Sequence, residues 1–264
     1  MAAVSVKKAF RPLDEQVIAR SALRVSTGMT INGVWRNAGA VYTFSGHPGG
    51  SEILCDGKEA DWALSWTTLP DGKDLEPHYH PFESHVAIVQ GRAVLTGERH
   101  ATFRTIEAGG LVRIPPWCLH GFRCENSKPF WALSWQRANR SLFFAGDRGE
   151  AADVVFPGDP SAPAVPDFTL EAFVQNGRTP ASEPVSSLDQ RPKFQFFDFT
   201  NKNDVVVEIE GPAFIFATSG GVHLELPEGM VELREGDALP VEASRTVKVV
   251  RKSPLSAIAT LQFC

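Results

Sequence analysis

The sequence predicts an all-β protein, and three features of the chain support this class. Glycine (22 residues) and proline (19 residues) are frequent in its 264 residues and divide it into short segments. Many of these segments alternate large apolar residues with small or polar ones, as strands buried on one face do. The pentapeptide Trp-Ala-Leu-Ser-Trp shows this alternation and occurs twice, at 62–66 and at 131–135. We therefore expect sheets joined by turns.

A first group of strands is expected in the N-terminal half of the chain. The two copies of the pentapeptide lie on two of these strands. We interpret them as strands with similar packing, since so short a match does not show a duplication. The expected strands cover residues 40–45, 62–69, 84–90, 93–95, 110–114, 120–124 and 130–135.

The chain changes character between residues 139 and 195. Residues 157–166 are rich in proline and have no apolar periodicity, which is typical of a linker. Asp167 is a suitable N-cap for a short helix over residues 168–175, and Asn176-Gly177 is a suitable end for it. We therefore expect residues 139–193 to form a linker that contains a short helix.

Strand patterns return after Phe194 and continue to the end of the sequence. The chain is thus expected to contain an N-terminal domain (1–138), the linker and a C-terminal domain (194–264). The strands expected in the second domain cover residues 205–209, 213–218, 222–226, 230–233, 238–241, 246–250 and 256–262.

The composition narrows the classes of function. Hydrophobic residues make up 43% of the chain and charged residues 22%, as in ordinary globular proteins. The formal net charge of −5 argues against a nucleic acid or an anionic membrane as partner. No apolar run approaches the ~18 residues of a membrane span, and the N-terminus lacks the apolar core of a secretory signal. The four cysteines form no Cys-x-x-Cys pair, which favours reduced thiols and a cytoplasmic protein.

Three histidines form a candidate metal site. His78 and His80 are two residues apart on an extended segment, so their side chains point to the same face of a sheet. His120 lies on a later strand and can complete one side of an ion. Imidazole favours transition metals over calcium and magnesium. We expect one divalent transition metal per chain at these three residues.

The glycines around the first two histidines resemble the first motif of the cupin superfamily, G-x5-H-x-H-x(3,4)-E-x6-G. In this chain the motif runs from Gly72 through His78 and His80 to Gly91. The resemblance implies that the N-terminal domain is a cupin barrel, a jelly roll also described as a double-stranded β-helix.

The second cupin motif, G-x5-P-x-G-x2-H-x3-N, runs here from Gly109 through Pro115 to His120. Trp117 stands at the glycine of this motif, and Cys124 stands at its asparagine. Together with its flanking strands, the resemblance extends over residues 40–138.

The fourth ligand of most cupins, a glutamate, is also missing. Counting back from Gly91 places Ser84 at that position, and a serine hydroxyl is a poor ligand. A bulge would bring Glu83 inward as ligand or general base, and a loop one residue longer would bring in His85. Ser84 and Glu83 are therefore the candidate catalytic positions. If Ser84 faces the metal, the ligand set is neutral and favours an anionic chelating substrate such as an enolate.

The C-terminal domain resembles a second cupin barrel whose metal site is degenerate. Its Gly236-Asp237 turn between two strand patterns is similar to the entry of the second motif. The domain contains only one histidine, His223, and Arg245 falls near the ligand position. The resemblance implies a bicupin with one metal site, in the first barrel.

The pocket around the metal is expected to be largely apolar. Val86, Ile88, Phe122 and Cys124 share the inward phase of the ligands along their strands. Trp117, on the loop before His120, either covers the metal, stacks on an aromatic substrate or packs at the edge.

The resemblance to quercetinase-like and diketone-cleaving cupins implies an Fe(II) dioxygenase that cleaves a small enol, phenol or diketone-like substrate with O2. A non-redox isomerase, epimerase, lyase or hydrolase of a small metabolite or sugar is the alternative, and a binding or storage protein is a third hypothesis. Mn, Ni, Cu and Zn are the alternative metals. The sequence leaves the substrate and the oligomeric state open, with a homodimer as one option.

Overall fold

A computed structural model describes residues 12–31, 34–45, 47, 54, 62–69, 74–96, 104–137, 143–144, 169–172, 192–199 and 202–263. Its helical elements are single turns: α1 (Leu13–Gln16) and the 3-10 turns Arg20–Ala22 and Glu125–Ser127. All strand pairs between the named strands are antiparallel, and they form four sheets. The all-β class is confirmed. Among the described residues, no helix combines the length and the apolar character needed to cross a bilayer.

Two sheets form the first barrel and its extensions. One has the strand order β1-β2-β3-β10-β5-β8-β12, and the other has the order β11-β4-β9-β6-β7. The strands are β1 (Arg24–Ile31), β2 (Val34–Thr43), β3 (Trp62–Thr68), β4 (Leu75–Tyr79), β5 (Ser84–Gln90), β6 (Arg92–Thr96), β7 (Arg104–Glu107), β8 (Gly110–Ile114), β9 (His120–Cys124), β10 (Trp131–Arg137), β11 (Phe143–Phe144) and β12 (Thr169–Ala172).

Two further sheets form the second barrel, with the orders β13-β20-β15-β18 and β14-β19-β16-β17. Five expected strands, those at 84–90, 110–114, 120–124, 222–226 and 238–241, have the bounds that the sequence predicts. The strands of this barrel are β13 (Lys193–Asp198), β14 (Asp204–Ile209), β15 (Ala213–Ser219), β16 (Val222–Leu226), β17 (Gly229–Leu233), β18 (Ala238–Val241), β19 (Arg245–Arg251) and β20 (Ala257–Gln262).

The helix predicted over residues 168–175 is wrong. Residues Thr169–Ala172 form β12, which pairs with β8 in the register Thr169 opposite Arg113. Strand pairing overrides the local helix signals because, without β12, the outer edge of β8 would carry unpaired backbone N–H and C=O groups. Pairing with β12 satisfies these groups. The proposed N-cap Asp167, the end signal Asn176-Gly177 and the proline-rich segment 157–166 lie outside the described residues.

Three apolar cores organise the molecule. The interior of the first barrel contains Val86, Ile88 and Phe122, and the interior of the second contains Ile215 and Val249. The third core, which we call the inter-barrel core, joins the two barrels. Its large buried side chains are Phe44, Trp62, Leu64, Trp66, Leu133, Trp135, Phe194, Phe214, Phe216 and Leu261.

The repeated pentapeptide builds one wall of the inter-barrel core. Its two copies pair antiparallel on β3 and β10, with Ser134 opposite Ser65 near the centre. Because side chains alternate along a strand, Trp66 and Trp135 point to the second barrel while the serines point into the first. The Trp66 ring lies 5.6 Å from Phe216, and the Trp135 ring lies 5.7 Å from Phe194, between ring centroids. The repeat is thus two neighbouring strands with the same two-sided packing.

Residues 12–23, which we call the N-terminal strap, contact both barrels. Leu13 and Val17 pack against the interior core of the second barrel. Ile18 and Ala238 exchange two backbone hydrogen bonds of 2.8 and 2.9 Å. The Arg20 guanidinium carbon lies 3.6 Å from the centre of the Trp131 ring in the first barrel. A segment that the sequence places in the N-terminal domain therefore helps to hold the second barrel in position.

Candidate metal centre

The three histidines of the sequence motif converge at one end of the first barrel. His78 on β4 and His120 on β9 are register partners on neighbouring strands, and His80 follows β4 directly. One ligand atom from each residue lies within 4.8 Å of the others. The ring centroids of His78 and His120 are 4.3 Å apart, and those of His80 and His120 are 5.2 Å apart. The arrangement can hold a single metal ion.

Backbone carbonyl groups orient two of the rings. His78 Nδ1 lies 2.8 Å from the carbonyl oxygen of Glu76, and His120 Nδ1 lies 2.8 Å from that of Cys118. A carbonyl oxygen only accepts, so in each ring Nδ1 carries the hydrogen and donates it. Nε2 then presents a lone pair, which is the tautomer that a metal ligand requires.

The same environment keeps the imidazoles of His78 and His120 neutral. Only 4% of His78 and 1% of His120 is exposed. Burial, followed by the nearby His80 ring, lowers the pKa of His120 to about 3. Burial and the neighbouring rings of His120 and His80 likewise hold the pKa of His78 well below its ordinary value. Protons therefore compete weakly for the ligand nitrogens, and the donor set fits a divalent transition metal.

The structure separates the three candidates for the fourth ligand position. Ser84 is 5% exposed and shares its strand face with Val86 and Ile88, which belong to the interior core. Its Oγ is buried and has no hydrogen-bond partner among the described residues. Ser84 is therefore the candidate that points into the barrel.

Glu83 and His85 point the other way. Arg113 Nη2 donates a hydrogen bond of 2.9 Å to Glu83 Oε2, and His85 Nε2 lies 3.3 Å from Glu83 Oε1. The His85 ring stacks on Trp135 at 5.2 Å, on the side of the inter-barrel core. Burial and the nearby Arg113 charge lower the pKa of His85 to about 4. Neither residue belongs to the described group of three histidines that could hold a metal.

Trp117 keeps the backbone shape of the glycine that it replaces. Its φ of 60° lies in the left-handed region, which costs a residue with a side chain about 1–3 kcal/mol. Its backbone N–H donates a 2.7 Å hydrogen bond to the carbonyl of His80 and so ties the loop before His120 to the first two ligands. The side chain is partly buried. Trp117 thus has a defined positional role in addition to any contact with substrate.

The structure gives a steric reason for one glycine of the first motif, Gly91. Gly91 has φ +76°, and a Cβ there would lie 2.9 Å from the carbonyl oxygen of Pro129. Only glycine combines this conformation with so close an approach. Gly72, the first residue of the motif, lies outside the described residues.

The two cysteines near the site differ in their surroundings. Cys124 is buried in the first barrel, and burial raises the pKa of its thiol. Cys118 is partly buried against the same core. Neither forms a disulfide with a described residue, which agrees with their interpretation as small apolar residues of the barrel. Cys55 and Cys264 lie outside the described residues.

The interior is less apolar than the sequence predicts. Val86, Ile88 and Phe122 line it as expected, and the Phe122 ring centroid lies 6.3 Å from that of His120. The inward faces of β3, β5 and β10 also present Ser65, Thr67, Ser84, Ser134 and Gln136. Sequence analysis missed four of these five residues, although the small positions of the repeated pentapeptide were a usable signal for two of them.

The residues near the metal-ligand positions of the second barrel, His223 and Arg245, differ from the histidine cluster of the first barrel. His223 is partly buried between the core residues Val222 and Leu224. Arg245 Nη1 donates to Glu228 Oε1 at 3.1 Å, so its charge is already paired. That this barrel binds no metal stays a prediction.

Comparison with known proteins identifies the first barrel. Residues 65–135 match the family model described as a cupin domain. The first barrel is a cupin domain. The matched residues include strands β5, β8 and β9 and all three histidines of the candidate metal site, His78, His80 and His120. No curated protein matches the sequence significantly.

Solved structures extend the likeness over both barrels and show the cupin fold for the whole chain. The Escherichia coli protein Ylba aligns with a TM-score of 0.54 at 12% identity, over 94% of this chain and 90% of its own. YhaK from Escherichia coli aligns with a TM-score of 0.50 at 17% identity, over 83% of this chain and 92% of its own. A variant of the oxalate decarboxylase of Bacillus subtilis aligns with a TM-score of 0.50 at 13% identity, over 96% of this chain and 78% of its own. The bicupin architecture is thereby confirmed, and these low identities carry no argument about activity.

Proposed function

We propose that this cupin is a metal-dependent enzyme, and specifically an Fe(II) dioxygenase that acts on a small enol, phenol or diketone-like substrate. The observation that supports the proposal most strongly is a metal site of three neutral histidines, which no described carboxylate joins. Structural metal sites are usually closed by four protein ligands, whereas sites with three leave positions for substrate.

The charge of the site favours an anionic chelating group. Three neutral imidazoles leave the full charge of a divalent ion uncompensated by protein ligands. Glu83, the carboxylate that the sequence offers beside the fourth ligand position, is bound to Arg113 outside the barrel. An enolate or phenolate oxygen would then supply the missing negative charge. Bound Fe(II) would supply Lewis acidity and the ability to react with O2.

The residues of the chain bind and orient the substrate and limit the access of water. His78, His80 and His120 would hold the ion, with two rings fixed by their Nδ1 hydrogen bonds to backbone carbonyls. Val86, Ile88 and Phe122 are buried in the apolar interior core of the first barrel, and their packing excludes water from that core.

The surroundings of the site also favour oxygen chemistry over the non-redox alternative. An isomerase or hydrolase normally needs a positioned general base or acid. The candidate in the sequence was Glu83, whose carboxylate is bound by Arg113 and lies beside His85. Ser84 does point inward, but its hydroxyl forms no hydrogen bond with a described residue, so no described base activates it.

Oxygen uptake is the direct test. The protein is loaded anaerobically with Fe(II) and offered acetylacetone, catechol and a hydroxypyranone in turn. We expect consumption of O2 with at least one of them, and both atoms of 18O2 in the products by mass spectrometry. Protein loaded with Zn(II) and the His120→Ala variant should consume none, whereas His223→Ala, a histidine variant in the second barrel, should behave as wild type.

Two results would contradict the dioxygenase proposal. Conversion of a substrate without O2 uptake would identify a non-redox metalloenzyme. Tight metal binding with no conversion of any of these compounds, by protein loaded with Fe(II), Mn(II), Ni(II) or Cu(II), would favour a binding or storage role.

A further inference from the structure

One wall of the first barrel carries a row of polar side chains, of which the sequence analysis singled out only Ser84. We call this set, Ser65, Thr67, Ser84, Ser134 and Gln136, the polar wall. Its members lie on β3, β5 and β10, which are adjacent strands of one sheet. The ligands His78 and His120 lie on β4 and β9 of the other sheet. Since the two sheets enclose the barrel interior, the polar wall and the metal site face the same space.

Strand register places these side chains at two neighbouring levels. Ser84 pairs with Gln136, and Ser134 pairs with both Ser65 and Val86. All of them have the phase of Val86 and Ile88, which are in the interior core, and the opposite phase to Trp66 and Trp135. Ser134 is on a central strand and still keeps intermediate exposure. Solvent therefore reaches the interior at this level.

The hydrogen bonds of the polar wall are incomplete within the protein. Ser134 Oγ is 2.9 Å from Ser65 Oγ and 3.1 Å from Thr67 Oγ1. The three hydroxyl groups carry one hydrogen each, and the two contacts use two of these hydrogens. One hydroxyl hydrogen and several oxygen lone pairs therefore remain to bond a ligand. Ser84 Oγ has no partner among the described residues although it is buried.

Packing alone does not explain these residues. Burying a hydroxyl without a partner costs about 1–3 kcal/mol, whereas alanine at the same position costs nothing of the kind. Ser84 would thus destabilise the barrel unless a ligand or water completes its bonding. Ser84 faces the same interior as the metal site, so a substrate held there can complete its hydrogen bonding.

The charges around the polar wall restrict the ligand further. The inward positions of β3, β5, β8 and β10 carry no charged side chain. Arg113 and Glu83 pair with each other on the outer side of the sheet. A second anionic group on the substrate would therefore face no cation on this wall, while neutral hydroxyl or carbonyl groups would find donors and acceptors.

We propose that the polar wall binds the uncharged, oxygen-bearing part of the substrate whose chelating group is held at the three histidines. The inference rests on the metal site of the proposed function and names its substrate class. That class is an enolic chelator with one metal-binding anionic group and at least one further neutral hydroxyl or carbonyl. The described inward positions of this wall offer no cation to the second carboxylate of a dicarboxylate.

Two hydroxypyranones that differ by a single hydroxyl test this selectivity. Kojic acid and allomaltol share the same chelating pair of oxygens, but kojic acid carries a hydroxymethyl group where allomaltol carries a methyl group. Binding to Zn(II)-loaded protein, which avoids turnover, is measured by titration calorimetry. We expect kojic acid to bind about fivefold more tightly, which corresponds to one added hydrogen bond.

Variants then locate the selectivity. Ser84→Ala and Ser134→Ala should each reduce the preference for kojic acid towards equal affinity, with unchanged zinc content by elemental analysis. Thr218→Val is the matched control, because Thr218 is a buried hydroxyl of the second barrel that also lacks a described partner. It should keep the full preference.

A second readout needs no metal. Because Ser84 Oγ makes no hydrogen bond to a described residue, metal-free Ser84→Ala should unfold at the same temperature as wild type or higher. Loss of selectivity without loss of stability assigns the hydroxyl to ligand binding. A clearly lower unfolding temperature would instead show that Ser84 has a structural partner, and it would overturn the inference for this residue.

The remaining outcomes are decisive in either direction. Equal affinity of wild type for the two compounds, a preference that survives in both serine variants, or no binding of either compound to protein of full zinc content would overturn the inference. Selective binding by the zinc protein together with no oxygen uptake by the iron protein would refute the dioxygenase proposal and leave the polar wall standing.

Discussion

The two barrels share a fold but treat their buried polar groups differently. In the second barrel Thr260 and Gln262 are buried on β20, and both bond to the Gln195 side chain. Gln262 Oε1 also accepts a 2.8 Å hydrogen bond from the backbone N–H of Glu210. In the first barrel Ser84 Oγ is buried without a partner among the described residues, and the imidazoles of His78, His80 and His120 converge in an arrangement that could hold a metal ion.

This difference separates structural from functional polarity. A buried polar group that exists for stability is satisfied inside the protein, since an unsatisfied one costs free energy. A group that serves a ligand has to stay incomplete until the ligand arrives. Thr260 and Gln262 follow the first rule, although Thr218 Oγ1 of the second barrel also lacks a described partner. The interior core of this barrel consists of apolar residues such as Ile215 and Val249. The second barrel also supplies one wall of the inter-barrel core, against which strands β3 and β10 of the first barrel pack.

The largest expected effect comes from breaking the inter-barrel core. Trp66 is fully buried, with its ring edge-on to Phe216 of the second barrel. Trp66→Ala should lower the free energy of unfolding by about 3–5 kcal/mol, measured by denaturant titration. Met230→Ala, at a residue that is 63% exposed, should change it by less than about 0.5 kcal/mol. A first barrel that unfolds at its wild-type midpoint in Trp66→Ala would show that the barrels are independent.

Removing one ligand should distinguish the barrels by metal content. His120→Ala should lose most bound metal, because two imidazoles hold an ion poorly and the fold supplies no described substitute. His223→Ala in the second barrel should retain one equivalent per chain. Elemental analysis of both variants, with circular dichroism to show that each is folded, is the measurement. Two equivalents of metal in wild type would contradict the assignment of a single site.

The pH dependence of stability should come mainly from the first barrel. The folded pKa values of His120 and His85, about 3 and about 4, lie below the ordinary histidine value of 6.5. Between those limits the unfolded chain binds more protons than the folded chain, so metal-free protein should lose stability as pH falls from about 6.5. Each such group contributes a slope of up to about 1.4 kcal/mol per pH unit. His85→Phe should reduce the slope, and an unchanged slope would show that His85 titrates normally.

The register of β5 can be tested at its first residues. Ser84→Glu would add a carboxylate on the inward face, so we expect tighter binding of Zn(II) by competition with a chelating dye. Glu83→Ala should leave the metal content unchanged, because this carboxylate is bound by Arg113 outside the barrel. Loss of metal in Glu83→Ala would instead mean that Glu83 turns inward and that the site is a cupin centre of three histidines and one glutamate.

The smallest effect is expected at the N-terminal strap. Arg20→Leu would remove the cation above the Trp131 ring, a contact worth about 0.5–1 kcal/mol at a partly exposed site. The change in unfolding free energy should be of that size, with no change in metal content. Arg24→Leu, at an exposed residue of β1, is the matched control and should have a smaller effect. Equal effects of the two variants would show that the stacked geometry contributes nothing.

Much of the first barrel could be predicted because its signals are local. The expectation that His78 and His80 share a face follows from strand alternation, and three strands of this barrel have the bounds that the sequence predicts. The inward phase of Ser84 follows from the same rule. The strand at Thr169–Ala172 could not be predicted, since its conformation depends on the free edge of β8, which is far away in the sequence.

The sequence by itself therefore determined the all-β class, the cupin motifs and the three histidines, because each depends on residues close together in the chain. Only the tertiary structure decided that the pentapeptide copies pair with Ser134 opposite Ser65, and that Arg113 keeps the Glu83 carboxylate outside the barrel. It also decided that the N-terminal strap contacts the second barrel. These contacts join residues tens to hundreds of positions apart, and their free energy depends on register and burial, which no local pattern specifies.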